Sequence, residues 1–215
     1  MLIDLHMHSK EGSPDSVLPI KDMVIKAKKI GLDAICITDH DNIDVFDYAK
    51  KIGHNMNFNI LVGSEILTYE GDILVYGVRD LPKKKLHAWE LTEYVSKRGG
   101  ATIAAHPFRH NNRGLGELLH NMPYLDGVEV FNGSTKAPQN LYAYAVAIEK
   151  GYALSGASDC HSIDKMGTYC TYVKDSIFNE AQLVNSIKSK QTLPCVLENG
   201  IYRPLKAYGQ YGIAI

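Results

Sequence analysis

The sequence predicts an α/β fold in which parallel strands close into a barrel, and three observations lead to this prediction. Short apolar segments alternate with segments whose apolar residues recur at helical spacing along most of the 215 residues. Strands that alternate with helices of this length are typical of parallel βαβ units. Side chains able to bind metal follow the apolar segments repeatedly, as they do at the carboxyl ends of barrel strands. We therefore expect a closed barrel and not an open sheet.

The predicted strands are runs of small or β-branched apolar residues bounded by turn residues. In chain order they are Leu2–His8, Asp33–Thr38, Asn59–Ile66, Asp72–Val78, Ala101–Ala105, Gly127–Phe131, Ala153–Ala157 and Thr168–Val173. The third and fourth strands are joined through the Glu70-Gly71 turn. In the strand that contains Glu129, Val128 and Val130 alternate with the acidic residue.

The predicted helices show apolar stripes at spacings of three and four residues. In chain order they are Pro19–Ile30, Ile43–Ile52, Leu86–Lys97, Gly114–His120, Pro138–Lys150 and Asn179–Lys190. Pro19 occupies a favoured first-turn position, and Asn179 with Gln182 is placed as a capping box. Glycines follow several helices as stop signals, at Gly31, Gly53, Gly99 and Gly151.

Composition predicts one globular domain over residues 1–215, since 45% of the residues are hydrophobic and 22% are charged. The net charge of -1 supplies no basic field for nucleic acid, so no stable nucleic-acid complex is expected. The stretch Glu198–Ile215 is ambiguous. Its Gly, Tyr and Ile residues fit either a barrel rim or a subunit interface.

Cysteine usage and hydropathy predict a cytoplasmic protein. The four cysteines form no Cys-x-x-Cys motif, which argues against a disulfide framework and suits a reducing compartment. Asp4 and His6 interrupt the N-terminal segment, so no signal peptide is expected. No apolar stretch approaches ~20 residues, so no membrane span is expected.

Candidate metal ligands are the most informative residues of the chain. Imidazoles and carboxylates are the groups that bind Zn, Mn or Fe in hydrolytic centres. The candidates are His6, His8, Asp15, His40, Glu65, Asp72, His106, Asp159 and His161. Residues two apart in a strand point to the same face, which pairs His6 with His8 and Asp159 with His161. Each such pair is common by chance, but their repetition at strand ends predicts one multinuclear site.

The same residues lie in motifs that resemble the PHP (polymerase and histidinol phosphatase) domain family. The motifs are Asp4-x-His6-x-His8-Ser9, Thr38-Asp39-His40, Gly63-x-Glu65, Ala105-His106-Pro107 and Ser158-Asp159-x-His161-Ser162. The resemblance runs over residues 2–173, and residues 174–215 are expected to complete the barrel or an interface. It implies a distorted (β/α)7 barrel, a cluster of two or three divalent ions (Mn, Fe or Zn) and phosphoesterase activity.

The resemblance also implies how the ligands divide. His6, His8, Glu65 and Asp159 would hold one ion together with the hydroxide that attacks the substrate. Glu65 would bridge to a second ion completed by His106 and Asp72, and a third would be held by Asp15, His40 and His161. Asp15 and Asp72 stand where relatives tend to have His, and a carboxylate there favours harder metals such as Mn²⁺ or Fe²⁺.

Residues beyond the ligands have supporting roles in this prediction. Asp39 faces away from His40 and is expected to support the ligands or the strand-to-helix turn. Arg109, three residues after His106, is placed to bind a substrate phosphate through its guanidinium. Other loop residues at the same face are candidates for substrate contact, namely Arg113, Asn132 and Lys136.

The predicted function is hydrolysis of a phosphate ester by metal-activated water, with no covalent enzyme intermediate. The substrate expected first is a small phosphomonoester of a nucleotide or metabolite, followed by a short nucleotide diester. One alternative is L-histidinol-phosphate phosphatase, against which the Asp15 departure counts. An alternative of another class is a non-catalytic, metal-stabilised module, which predicts eroded ligand positions.

Overall fold

Residues 1–205 are described by a computed structural model, so the end of the ambiguous stretch, residues 206–215, lies outside the described residues. Residues 1–205 form a mixed α/β fold with one curled sheet of ten strands. The strands are β1 Leu2–Met7, β2 Ala34–Ile37, β3 Asn59–Leu67, β4 Asp72–Tyr76, β5 Ala101–Ala104, β6 Gly127–Asn132, β7 Ala153–Ala157, β8 Tyr169–Val173, β9 Thr192–Glu198 and β10 Ile201–Pro204. The helices are α1 Ile20–Ile30, α2 Phe46–Asn55, α3 Ala88–Lys97, α4 Ala137–Lys150 and α5 Glu180–Lys188, with a 3₁₀ helix at Gly116–Asn121.

The strand order across the sheet is β10-β9-β8-β1-β2-β3-β4-β5-β6-β7. The neighbours β1, β2 and β3 run parallel, as do β5, β6 and β7, and these are the two runs where helices alternate with strands. Strand β4 is antiparallel to both of its neighbours, and β8, β9 and β10 form an antiparallel meander beside β1. The predicted alternation is therefore interrupted twice, and a count of seven β/α units stays a prediction.

The sheet curls until β7, at one edge, returns to β1. The contact is an isolated parallel bridge between Met7 and Cys160, and the Asp159 amide donates to the His6 carbonyl at 2.9 Å. Deeper in the fold the Ser158 amide donates to Asp4 Oδ1 at 3.0 Å. No continuous ladder joins the two strands in residues 1–205, so the described sheet forms a half-barrel and not the fully closed barrel that was expected.

Both faces of β1 are buried, which places its polar residues inside the protein. Asp4 and His6 alternate with Ile3, Leu5 and Met7, and each of these side chains is fully buried. Ile3 and Leu5 pack in one apolar cluster and Met7 packs in another, and the pairing with β2 shifts register between Asp4 and Met7. His6 and His8 point to one buried face. Because a buried imidazole or carboxylate without a partner is energetically costly, the polar side chains on this face need hydrogen bonds or bound cations.

The prediction for the second helix needs correction at both ends. Helix α2 begins at Phe46, and it continues through Gly53 to Asn55 where a stop was expected at Gly53. A Cβ at Gly53 would lie 2.7 Å from the carbonyl oxygen of Phe58, so this glycine allows the following loop to pack closely. Gly31 does end α1, with a left-handed φ of 80°.

The chain after α5 adds two strands that the sequence did not predict. Strands β9 and β10 extend the sheet beyond β8, and Cys170 of β8 lies opposite Cys195 of β9. None of the helices in residues 1–205 has the length and apolar character that a membrane span requires.

Candidate metal centre

Two histidines and two carboxylates meet at the carboxyl end of β1. His6 Nε2 and His8 Nε2 lie 3.0 Å apart, so the two rings point at the same spot. Asp159 Oδ1 lies 3.4 Å from His6 Nε2 and 3.2 Å from His8 Nε2. Glu65 approaches the same two nitrogens at 3.4 Å. The four side chains are at most 2% exposed, which makes this the deepest part of the site.

Glu65 lies at the centre of the wider group. Its Oε1 is 2.9 Å from His106 Nε2, and its Oε2 is 3.0 Å from His40 Nδ1. One carboxylate therefore contacts four imidazoles that come from three strand ends. This is the arrangement expected of a carboxylate that bridges two cations.

A shallower group surrounds His8 on the solvent side. The rings of His40 and His161 each lie 4.2 Å from the His8 ring, centroid to centroid. Asp15 Oδ2 is 3.1 Å from His40 Nε2 and 3.4 Å from His161 Nε2. Asp15 is 54% exposed, so this group forms the mouth of the site.

Asp72 lies at the opposite edge of the cluster. Its Oδ2 is 3.8 Å from His106 Nε2 but accepts a hydrogen bond from Arg113 Nε at 2.6 Å. Its Oδ1 is buried and has no hydrogen-bond partner among the described residues. Asp72 is thus near the cluster, while its closest cation is a guanidinium.

The backbone conformation sets the direction of two of the candidate ligand side chains. His106 and Asp159 follow β5 and β7 and adopt positive φ angles of 32° and 51°. Residues other than glycine rarely adopt positive φ angles. Such angles are found most often at functional sites, where the backbone must direct a side chain to one place. Gly63, two residues before Glu65, allows β3 and β4 to pair closely, because a Cβ there would lie 2.6 Å from the Val75 carbonyl oxygen.

Asp39 is buried and binds the loop that follows β1. Its Oδ1 accepts from the Ser9 amide at 2.6 Å and from Ser13 Oγ at 2.7 Å, and its Oδ2 accepts from Ser9 Oγ at 2.6 Å. Ser13 Oγ in turn lies 3.4 Å from His8 Nδ1. Asp39 therefore acts on the cluster through the loop and points away from the candidate ions.

Glu129 is the residue of this site that sequence reasoning missed. It is fully buried in β6, where its Oε1 lies 3.0 Å from His6 Nδ1 and its Oε2 accepts from the His106 amide at 2.8 Å. Asn132 Nδ2 donates to the same oxygen at 2.9 Å. The signal that the sequence offers is an acid between two valines in a strand, which by itself indicates only alternation.

The charges and pKa shifts of the clustered side chains favour binding of a cation. Burial opposes a charge on His6, but Asp159, Glu129 and Glu65 around it raise the pKa of His6 well above its ordinary value. Burial likewise opposes charge on Glu65 and Asp159, and the neighbouring imidazoles, His6 foremost, hold both pKa values well below the usual range. Burial lowers the pKa of His8. The carboxylates are therefore ionised and attract positive charge.

The donor set fits divalent metal ions. Several groups of three residues each offer imidazole nitrogens or carboxylate oxygens within 4.8 Å of one another in residues 1–205. They are His8 with His40 and His161, His6 with His106 and Asp159, His6 with His8 and Glu65, and Glu65 with Asp72 and His106. Mixed imidazole and carboxylate sets suit Zn, Mn and Fe.

Arg109 reaches the cluster from the loop after β5. Its Nη2 donates to Asp159 Oδ2 and to Asn132 Oδ1, each at 2.5 Å, and its Nε donates to Thr135 Oγ1 at 3.0 Å. The predicted phosphate-binding residue thus lies at the site, and its nearest anion is a candidate ligand. Lys136 lies at the start of α4, and no side-chain contact of it to the cluster is described.

The PHP domain profile matches residues 4–161 of this chain, and a PHP-associated profile matches residues 137–192. An uncharacterized protein of Methanocaldococcus jannaschii is 36% identical over 142 residues, which cover 61% of this chain and 82% of that protein. The PolC-type DNA polymerase III of Latilactobacillus sakei is 38% identical over 94 residues, 43% of this chain. The matched part is only 6% of the polymerase.

Solved structures share the fold at low sequence identity. A candidate metal-dependent phosphoesterase from Bifidobacterium adolescentis has a TM-score of 0.66 at 17% identity, over 87% of this chain and 96% of that one. PsfC from Pseudomonas syringae has a TM-score of 0.68 at 21% identity, over 93% and 92% of the two chains. A lesion-specific endonuclease from Pyrococcus furiosus has a TM-score of 0.60 at 16% identity, over 87% of this chain and 56% of the endonuclease.

Proposed function

This chain belongs to the PHP domain family, and from that premise we propose that it is a metal-dependent phosphoesterase that hydrolyses a phosphate ester with water. The observation that carries the proposal is the convergence of His6, His8, Glu65 and Asp159 on one buried spot. A non-catalytic module predicts eroded ligand positions, whereas β1, β2, β3, β5 and β7 each carry or are closely followed by a donor residue in this chain. The resemblance in fold to a candidate phosphoesterase and to an endonuclease agrees with phosphate ester chemistry.

The proposed ligands fall into the groups that the geometry defines. His6, His8, Glu65 and Asp159 would hold the deepest ion, and Glu65 would share a second with His106. His40, His161 and Asp15 would hold an ion at the mouth. Asp72 offers an oxygen within 4.8 Å of ligand atoms of Glu65 and His106, but we do not assign it to an ion because its Oδ2 pairs with Arg113 at 2.6 Å.

Divalent ions in such a site acidify a bound water and offset charge on phosphoryl oxygens. The side chains of this protein supply the rest. Glu129 accepts from His6 Nδ1 and so favours the tautomer in which Nε2, the nitrogen that faces the cluster, would bind an ion. Arg109 offers a positive charge beside Asp159, where a phosphoryl group would add negative charge.

The depth of the site supports a small phosphomonoester as the substrate class. The deepest donors are at most 2% exposed, whereas His161 and Asp15 at the mouth are 33% and 54% exposed. A terminal phosphoryl group can reach a recessed cluster, while a phosphate inside a long polymer is flanked on both sides. A nucleotide or another phosphorylated metabolite fits this access. A short diester whose phosphate can enter the mouth is the second class.

Phosphate release tests the proposal directly. The native protein, supplied with Mn²⁺, would be incubated with mononucleotides, sugar phosphates, L-histidinol phosphate and short nucleotide diesters. We expect release from at least one member and its loss in His8→Ala. The control is His54→Ala, which removes an exposed imidazole at the end of α2 and is expected to leave the rate unchanged.

The pattern of release separates the alternatives. Preference for L-histidinol phosphate over the other esters would identify a histidinol phosphatase. Release from diesters alone would replace the monoesterase assignment with a diesterase. Bound metal without release from any member would contradict the proposal and favour the non-catalytic module.

A further inference from the structure

Arg113 lies on the loop between β5 and the 3₁₀ helix and is tied twice to the start of β4. Its Nε donates to Asp72 Oδ2 at 2.6 Å, and its carbonyl oxygen accepts from the Asp72 amide at 2.8 Å. The adjoining glycine fits tightly, because a Cβ at Gly114 would lie 2.3 Å from the Pro107 carbonyl oxygen. The loop therefore holds the guanidinium of Arg113 at a defined place beside the cluster.

The terminal nitrogens of Arg113 are its unused donors. Neither Nη1 nor Nη2 has a hydrogen-bond partner in the described part of the chain, and the side chain is 37% exposed. Arg109 differs, since its Nε and Nη2 already donate hydrogen bonds to Thr135, Asn132 and Asp159. Of the two arginines at the site, Arg113 has the fork of nitrogens that a phosphate can bind without breaking existing contacts.

The position of Asp72 places this fork next to the proposed ions. Asp72 Oδ2, which holds Arg113, lies 3.8 Å from His106 Nε2, and His106 contacts the central Glu65 at 2.9 Å. A phosphoryl group that touches the cluster on this side would therefore meet the guanidinium. Asp72 is itself fully buried, so solvent screens its attraction to the guanidinium only weakly.

We propose that Arg113 binds the phosphoryl group of the substrate through its two terminal nitrogens, and that Asp72 is the residue that positions it. The inference rests on the proposed function and adds a substrate-binding residue to it. It assigns to Arg113 the role that the sequence favoured for Arg109. It also explains why a carboxylate at position 72 is useful, because an imidazole would not hold a guanidinium in this way.

Binding of inorganic phosphate to the Mn²⁺-loaded protein tests the role of Arg113 without requiring turnover. Calorimetry would compare the native protein with Arg113→Gln, whose amide can still donate to Asp72. We expect the Kd for phosphate to rise by about tenfold or more, since a charge-assisted pair is lost. The number of metal ions per chain should not change. Arg98→Gln, which alters an arginine stacked on Tyr94 at the end of α3, should leave the Kd unchanged.

The proposal is overturned if Arg113→Gln binds phosphate within about twofold of the native affinity. Absence of phosphate binding by the native metal-loaded protein overturns it as well. Arg113→Lys is a second variant that retains the charge but not the planar fork. It should recover only part of the affinity, and full recovery would contradict binding by the fork.

A double-mutant cycle tests the role of Asp72. If Asp72 acts through Arg113, then Asp72→Asn weakens phosphate binding in the native background but adds little in the Arg113→Gln background. Metal content should stay the same in both. A loss of metal from Asp72→Asn, or a full additional loss of phosphate affinity in the double variant, would overturn the positioning role.

These measurements distinguish an error in this inference from an error in the proposed function. A native protein that holds metal and binds phosphate through Arg113, yet hydrolyses no ester, would refute the phosphoesterase and keep the inference. A native protein that hydrolyses esters while Arg113→Gln binds phosphate normally would do the reverse.

Discussion

The carboxylate of Glu129 lies 3.0 Å from Nδ1 of His6, on the side of the ring opposite to the nitrogen that faces His8. Both side chains are fully buried, and the second oxygen of Glu129 accepts from the backbone amide of His106. One residue therefore fixes the ring of one candidate ligand and the backbone of another. Such carboxylate–histidine pairs orient metal-binding imidazoles and raise their basicity.

Replacing Glu129 should weaken metal binding although Glu129 lies outside the proposed ligand set. We expect Glu129→Gln to lower the affinity for Mn²⁺ by about 10- to 100-fold, because the ring of His6 loses its charged partner. Metal titration of the purified, metal-free protein measures this. Glu149→Gln, at an exposed site on α4, is the matched control. Equal affinities for the two variants would show that Glu129 does not support the cluster.

Metal binding should release protons near neutral pH. The carboxylates around His6 raise its pKa well above the ordinary value, so His6 is protonated in the metal-free protein and must lose that proton to bind an ion. Metal affinity should therefore rise with pH until the pKa of His6 in the metal-free protein is passed. Calorimetry in two buffers of different ionisation enthalpy measures the release, to which His6 should contribute about one proton per chain. An observed heat that is independent of the buffer would contradict the protonated state of His6.

Asp39 should contribute to stability through the loop after β1. Its removal would leave the Ser9 amide, the Ser9 hydroxyl and the Ser13 hydroxyl without their acceptor in a buried place. We expect Asp39→Ala to lower the free energy of unfolding of the metal-free protein by about 3 kcal/mol, measured by urea denaturation. Asp44→Ala, at an exposed position, should change it by less than about 0.5 kcal/mol. A comparable loss in both variants would mean that the loop does not depend on Asp39.

Gly63 should couple the pairing of β3 and β4 to the placement of Glu65. A Cβ at this position would meet the Val75 carbonyl oxygen at 2.6 Å, so Gly63→Ala must push the strands apart. We expect a loss of about 1–3 kcal/mol in the free energy of unfolding, together with weaker Mn²⁺ binding. Gly31→Ala, at the open C-cap of α1, should destabilise by about 1 kcal/mol without changing metal affinity. Unchanged metal affinity in Gly63→Ala would show that the pairing of β3 and β4 does not affect the placement of Glu65.

Much of the fold follows from local patterns in the sequence. Strand β1 and helix α1 were predicted because apolar spacing and a glycine stop act over a few residues. Gly53 was misread for the same reason, since its role is a contact with the Phe58 carbonyl across a loop. Strands β9 and β10 are missed because β9 depends on pairing with β8 and β10 on pairing with β9, to which local spacing gives no guide.

Residue type and strand position were enough to predict that His6, His8, Glu65 and Asp159 belong to one site, because strand ends converge when a sheet curls. Which atoms meet was decided only by the tertiary structure. In the sequence Glu129 is only the polar member of an alternating strand, whereas both faces of β6 are buried in the curled sheet. The sequence offers Arg113 only as one of several loop residues that could contact the substrate, and Asp72 with the packing of Gly114 brings its guanidinium to the cluster. The sequence thus determined the chemical groups, and long-range packing determined their partners, because hydrogen bonds between distant segments leave no periodic signal in the chain.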